Sequence, residues 1–536
     1  MLRKRLAVLL ATVLCLLPGC RGREKSQSIR MDLQQRVTSL DPQFATAWES
    51  QVVLMNLFEG LLIRGEDGEL APGAAREYTV SADGLTYTFQ LRQDGVWRDG
   101  DPGRDIPPTP VTAADFVFSF HRIFDPEVPS PWAGDFQAIR NAREVLAGEL
   151  PKSQLGVRAR GDDTLEITLS EPSPVLLELL AGTGALPCNE TFFRSTRARY
   201  GQAVSHILGN GPFALQSWDD EAVVMVPSGS YTGTQQVLCP SVVLYTGRAK
   251  EKGTTEWQLF LEGRSDFCAA TSQQARELDQ ERFHIAPTED TVWALVFRQE
   301  EGSPLADAGV RRALALTVDA GSFGERTPED FLPTTSLVPR SATLMGEEYQ
   351  SGASPLGFRP DEAREVMTEA LARLELEALP KTTLILPGSA GLGPVGGYLQ
   401  KVWQQELRQF INLEIVEDDA FQQRLEAGEF EMAITPLGSE GNTPMGALGV
   451  FATGNSRNVA GHQDPGFDLL LAQSQTALDT RQAAALCDQC EGMLLEQAVA
   501  VPLFTQQGYC AMAAGLEGLD YRSDRILFAG ASRTGG

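Results

Sequence analysis

Thr382-Thr383-Leu384-Ile385-Leu386 opens the stretch that decides the fold. Residues 395–410 follow with apolar side chains at helical spacing (Leu399, Val402, Trp403 and Leu407), and residues 413–416 are rich in β-branched side chains. Residues 419–426 return to helical spacing, and residues 430–435 read as a further strand. The alternation is a βαβαβ unit. Parallel neighbours need a crossover of the kind a helix supplies, so a parallel sheet is predicted. Ligands of such sheets bind outside the carboxyl ends of the strands. The loop after Thr435 is therefore a candidate ligand loop on topology alone.

Working towards the N-terminus, Thr112 precedes Asp115 by three residues, just ahead of Phe116, Val117, Phe118 and Phe120. That spacing predicts a capping-box helix start. Tyr87, Phe89 and Leu91 alternate with Thr88 and Gln90, the period of a half-buried strand. Both signals sit in an ordered series of phrases: Phe58-Glu59-Gly60-Leu61-Leu62, Ala82-Asp83-Gly84-Leu85-Thr86-Tyr87-Thr88-Phe89, Gly95-Val96-Trp97-Arg98-Asp99-Gly100, and Val111-Thr112-Ala113-Ala114-Asp115-Phe116-Val117-Phe118-Ser119. In order and spacing the series resembles family 5 of the extracytoplasmic solute-binding proteins, the oligopeptide- and dipeptide-binding lipoproteins of ABC importers. The pattern continues through Gly209-Asn210-Gly211-Pro212-Phe213 and Val310-Arg311-Arg312-Ala313-Leu314 to a closing strand at Ala500-Val501-Pro502-Leu503-Phe504. It spans nearly all of residues 28–528.

The resemblance implies an α/β fold, periplasmic-binding-protein-like with two lobes (type II), and an extra α+β domain on the N-terminal side. Carried onto this chain, lobe I combines residues 28–57, 186–288 and 500–536, the extra domain is 58–185, and lobe II is 289–499. It further implies that peptides are captured between closing lobes and delivered to an ABC permease and ATPase complex. The family grips the peptide amine with an Asp four residues before a Pro; here Glu440 holds that position ahead of Pro444, and Gly441 replaces the usual Tyr. Leu437, Gly438 and Ser439 would pair with the ligand backbone, and Asn442 belongs to the same loop. The family's Ser-Pro-aromatic-Ala phrase matches Ser130-Pro131-Trp132-Ala133, which makes Trp132 a cleft-wall residue, and Ala47 aligns with a backbone contact from lobe I.

The first twenty residues predict an export signal, with Arg3, Lys4 and Arg5 ahead of an apolar run that is short for a membrane span. It closes on Leu17-Pro18-Gly19-Cys20, which resembles a lipobox, so Cys20 is the expected lipidation site. The expectation is an exported, monomeric lipoprotein of the periplasm or cell surface that touches the membrane through its anchor alone. Without the leader the chain carries 42 basic against 71 acidic residues, a formal charge of -29. Such a surface repels phosphate backbones, so nucleic acid is a poor partner.

No phosphate loop, H-E-x-x-H or G-x-S-x-G is present, and the four histidines (His121, His206, His284 and His462) are scattered, so no enzyme, cofactor or metal is expected. Six cysteines beyond Cys20 permit disulfides without fixing a pairing. Cys487 and Cys490 form a C-x-x-C inside a predicted helix, where packed thiols are favoured over redox or zinc chemistry. Two alternatives stay open: another solute on the same scaffold, such as a sugar or nickel complex, or a ligand-sensing lipoprotein not coupled to transport.

Overall fold

The computed structural model describes residues 28–65, 70–98, 108–173, 175–251, 253–279, 281–328, 330–345, 347–353, 356–438, 443–455, 457–477, 479–522 and 525–534. The leader, Cys20, Ser439, Glu440 and Asn442 lie outside them. Three main sheets organise the described residues.

The first sheet runs Ile29–Leu33, Val242–Thr246, Ala222–Pro227, Phe213–Trp218, with the first pair parallel and the others antiparallel. The second is antiparallel throughout, in the order Ala75–Val80, Thr86–Leu91, Thr164–Thr168, Val157–Ala159. Thr86–Leu91 alternates as expected: Tyr87, Phe89 and Leu91 are buried and their neighbours half-exposed. Helix Ala113–Ile123 packs on the second sheet's Val157–Ala159 and Thr164–Thr168 strands. It starts with the capping box foreseen, the Asp115 carboxylate accepting from the Thr112 backbone N–H at 2.8 Å. These two sheets share one continuous hydrophobic core.

The Gly209-Asn210-Gly211 phrase has a structural reason. Helix Trp48–Leu57 ends where the Gly211 N–H donates to the Leu57 carbonyl at 2.9 Å. The Asn210 side chain then clamps the next turn, accepting from the Glu59 N–H at 3.0 Å and donating to the Glu59 carbonyl at 2.9 Å. A Cβ at Gly209 or Gly211 would stand 2.4 Å or 2.6 Å from Leu57 backbone atoms, which is why neither position carries one.

The third sheet has seven strands. Its path is Phe267–Ala270, Ala500–Ala513, Phe283–Phe297, Met432–Pro436, Thr382–Pro387, Ile411–Val416, with Phe331–Pro333 paired to Ala500–Ala513 off that path. The βαβαβ reading holds: Thr382–Pro387 pairs parallel with both Ile411–Val416 and Met432–Pro436, and helices Gly393–Leu407 and Asp418–Ala427 make the crossovers. The sheet as a whole is mixed, since the remaining pairs are antiparallel. Both faces are covered. Leu384, Leu386, Leu295, Phe297, Met432 and Ile434 point into one core with Trp403, while Ile385, Ala433, Ala294 and Val296 point the other way. That double burial explains the unbroken apolar run Leu384-Ile385-Leu386.

Phe283–Phe297 and Ala500–Ala513 are long strands paired to each other along most of their length, and Ala500–Ala513 outruns the short closing strand expected. Phe283–Pro287 pairs with residues 509–513, beside Phe267–Ala270; Asp290–Val296 pairs with residues 500–507, beside Met432–Pro436. The register slips at two places, between Pro287 and Asp290 and between Trp293 and Ala294. Each slip adjoins a proline, Pro287 or Pro502, which has no N–H to give to a ladder.

Candidate functional site

The loop after Met432–Pro436 leaves the third sheet beside the crossing strands. Leu437 donates its N–H to the Val292 carbonyl at 2.7 Å, so the sheet's pairing runs one residue beyond the strand. Trp293 stands opposite Pro436, and its indole N–H donates to Gln506 at 2.8 Å. Gln506 in turn donates to Asp330 at 3.3 Å, and the Asp330 carbonyl accepts from the Gln507 N–H at 2.9 Å. Gly438 is exposed, and a Cβ there would lie 3.7 Å from the Arg457 side chain. Beyond the undescribed residues the chain resumes at Thr443, whose hydroxyl caps helix Pro444–Gly449 by accepting from the Gly446 N–H at 3.0 Å.

Trp132 is tied to the segment that leads to Ala47. Ala47 is an exposed, extended residue at the start of helix Trp48–Leu57, and its carbonyl accepts from the Gln51 N–H at 3.1 Å. The segment before it is tightly held. Arg122 donates to both Asp41 carboxylate oxygens at 2.9 Å and 2.5 Å and to Gln43 at 2.5 Å, while Gln43 donates to the Leu186 carbonyl at 2.8 Å. Burial works against the Arg122 charge, but Asp41 more than offsets it and holds the guanidinium above its ordinary value. Ser130 donates to the Gln43 carbonyl at 2.5 Å. Trp132 donates to the Pro42 carbonyl at 3.1 Å and lays its ring against Gly184. It is half-buried, a packing residue with one open side.

Trp132 and Trp48, next to Ala47, thus pack against the core shared by the first two sheets, whereas Leu437 packs against a core under one face of the third sheet. Sequence reading missed Trp293, Gln506 and Arg457, which reach the loop through cross-strand pairing and a distant turn. The C-x-x-C thiols are buried in helix Thr480–Glu496 and burial pushes both up to about 12, which leaves them un-ionised at neutral pH. Among the described residues no group of His, Cys, Asp or Glu is placed to hold a metal ion, and no helix is long and apolar enough to cross a membrane.

The family model for bacterial extracellular solute-binding proteins, family 5 Middle, matches residues 69–458. The chain is 26% identical over 478 residues to the dipeptide-binding protein DppE of Bacillus subtilis, covering 87% of this chain and 84% of the relative. It is 28% identical over 481 residues to the periplasmic oligopeptide-binding protein OppA of Salmonella typhimurium, covering 87% and 85%. Its fold matches the solved Escherichia coli murein tripeptide binding protein MppA with a TM-score of 0.68 at 24% identity, over 96% of this chain and 99% of that one. With its two α/β lobes and additional antiparallel sheet, the chain belongs to family 5 of the bacterial extracellular solute-binding proteins.

Proposed function

We propose that this protein is the peptide-capturing component of an ABC importer, holding its ligand between lobe I and lobe II and handing it to membrane permeases. The observation that carries the reading is the family match across residues 69–458 together with relatives named for dipeptide, oligopeptide and murein-tripeptide binding. On this reading lobe I is residues 28–57, 186–288 and 500–536, the extra domain 58–185 and lobe II 289–499, and closure bends the two crossing strands at their register slips. The Leu437 carbonyl, Gly438 and Ser439 pair with the peptide backbone, Asn442 lies in the same loop, and Glu440 meets the peptide amine. Ala47 and Trp132 face them from the other body. Cys20 carries the lipid anchor that keeps an exported monomer at the membrane. The test is mass spectrometry of small molecules released from the purified protein, followed by calorimetry with the compounds found. Peptides bound one to one support the reading; sugars or metal complexes in their place overturn it.

A further inference from the structure

A cavity of about 820 Å³ opens elsewhere, on helix Ala113–Ile123. This helix is apolar on two faces. Ala113, Phe116, Phe120 and Ile123 are buried in the core. Ala114, Val117, Phe118 and His121 recur at three- and four-residue spacing, share a second face, and line the cavity. The opposite wall is aromatic, with Phe193 ring-packed at 5.4 Å on Phe118 and at 5.4 Å on Tyr200. A surface helix ordinarily turns its second face to water with polar side chains. Here that face is Val117 and Phe118, half-buried beside an open space.

The charges around the cavity select the ligand class. Each ionised side chain on its wall already has an opposite one: Arg122 with Asp41, Lys152 with Asp125 at 2.5 Å, and Arg194 with Glu190 at 2.6 Å. Burial, reinforced by Lys152, holds His121 below the ordinary imidazole value, so it is neutral at pH 7. A charged ligand would have to displace a partner already in place, whereas an uncharged one meets aromatic and aliphatic surface directly. We propose that this cavity is a second ligand site, distinct from the inter-lobe site, and that it takes an uncharged, ring-bearing apolar small molecule. The volume lies within the range of about 300–1,000 Å³ usual for small-molecule sites.

The probe is N-phenyl-1-naphthylamine, neutral and fluorescent in apolar surroundings, titrated into the full chain beside its anionic sulfonated counterpart. Saturable one-to-one binding of the neutral probe is expected, at least tenfold tighter than the anion. Ala114→Trp fills the cavity, and Val128→Glu puts a charge on its rim at a position 58% exposed. Each should weaken the neutral probe tenfold or more while thermal melts show a folded chain, and the two sites are independent enough that either variant suffices if the other fails to fold. Gly438→Trp, on the third sheet's loop, should leave the probe's affinity unchanged. No saturable binding, equal affinity for the anion, unchanged affinity in a folded cavity variant, or loss of binding in Gly438→Trp overturns the proposal, and none of these outcomes bears on peptide capture.

Discussion

Removing the Arg122 guanidinium tests whether the segment leading to Ala47 is held by a buried ion pair. In Arg122→Met the stem volume is kept, but Asp41, whose side chain is 13% exposed, loses both hydrogen bonds from the guanidinium and keeps the one from the Gln43 N–H at 3.2 Å, and the Gln43 side chain loses one. Breaking a buried pair from one side costs about 3–5 kcal/mol, because the remaining charge is left desolvated. Loss of the cation over the Phe193 ring, 4.2 Å from its centroid, adds about 1 kcal/mol. Asp41→Asn alone should cost about 3 kcal/mol, leaving the guanidinium short of its counter-charge. The double variant retains no stranded ion. Its destabilisation should fall short of the sum of the single losses by about 2 kcal/mol or more, since contacting residues of one network do not add. Urea unfolding monitored by tryptophan fluorescence provides all four corners of the cycle. Simple additivity of the two losses, or a single variant as stable as the parent, would refute the reasoning and reduce the pair to a surface contact.

Four further outcomes follow from the chain. Cys20→Ala should move the protein from the membrane pellet to the soluble fraction, and an unchanged distribution removes the anchor. Glu440→Gln should weaken binding of a free-amine peptide by about 2 kcal/mol in calorimetry, and N-acetylated peptides should show little further loss. Gly211→Ala should destabilise by about 1–3 kcal/mol, because its new methyl meets the Leu57–Phe58 backbone, which cannot rotate away as a side chain would. His462 is 3% exposed and burial holds it below its ordinary value, so the unfolded chain binds more protons and stability falls as pH drops below about 6.5; His462→Gln should remove that part of the decline in denaturant titrations at stepped pH.

The βαβαβ unit was legible because each of its elements carries its own period within a few residues. Helix Ala113–Ile123 was legible for the same reason, its capping box being local. The crossing strands were not. Phe283–Phe297 is interrupted by Pro287, Thr288, Glu289 and Asp290, which break any apolar alternation along it. Pairing with a segment more than two hundred residues away carries the strand through that interruption, and this energy has no trace in a local window. The same physics divides the site. The loop after Thr435 follows from strand order alone, and Leu437 and Gly438 were picked out in it by resemblance, whereas Trp293 and Gln506 arrive by long-range register and Arg457 from a distant turn. Trp132 was recognised by phrase, but its bond to Pro42 and its packing on Gly184 depend on the fold.

The six described cysteines are buried and unlinked, and burial holds every thiol well above its ordinary value. They are also distributed: Cys188, Cys239 and Cys510 lie in the core shared by the first two sheets, Cys510 on the crossing strand Ala500–Ala513, Cys268 lies in a small cluster on the strand paired beside it, and Cys487 and Cys490 lie under one face of the third sheet. The chain therefore contains a set of silent clocks. A thiol-reactive reagent can start each clock only when its own neighbourhood opens, so the order in which the six become alkylated under mild denaturant is a map of which part of the molecule breathes first.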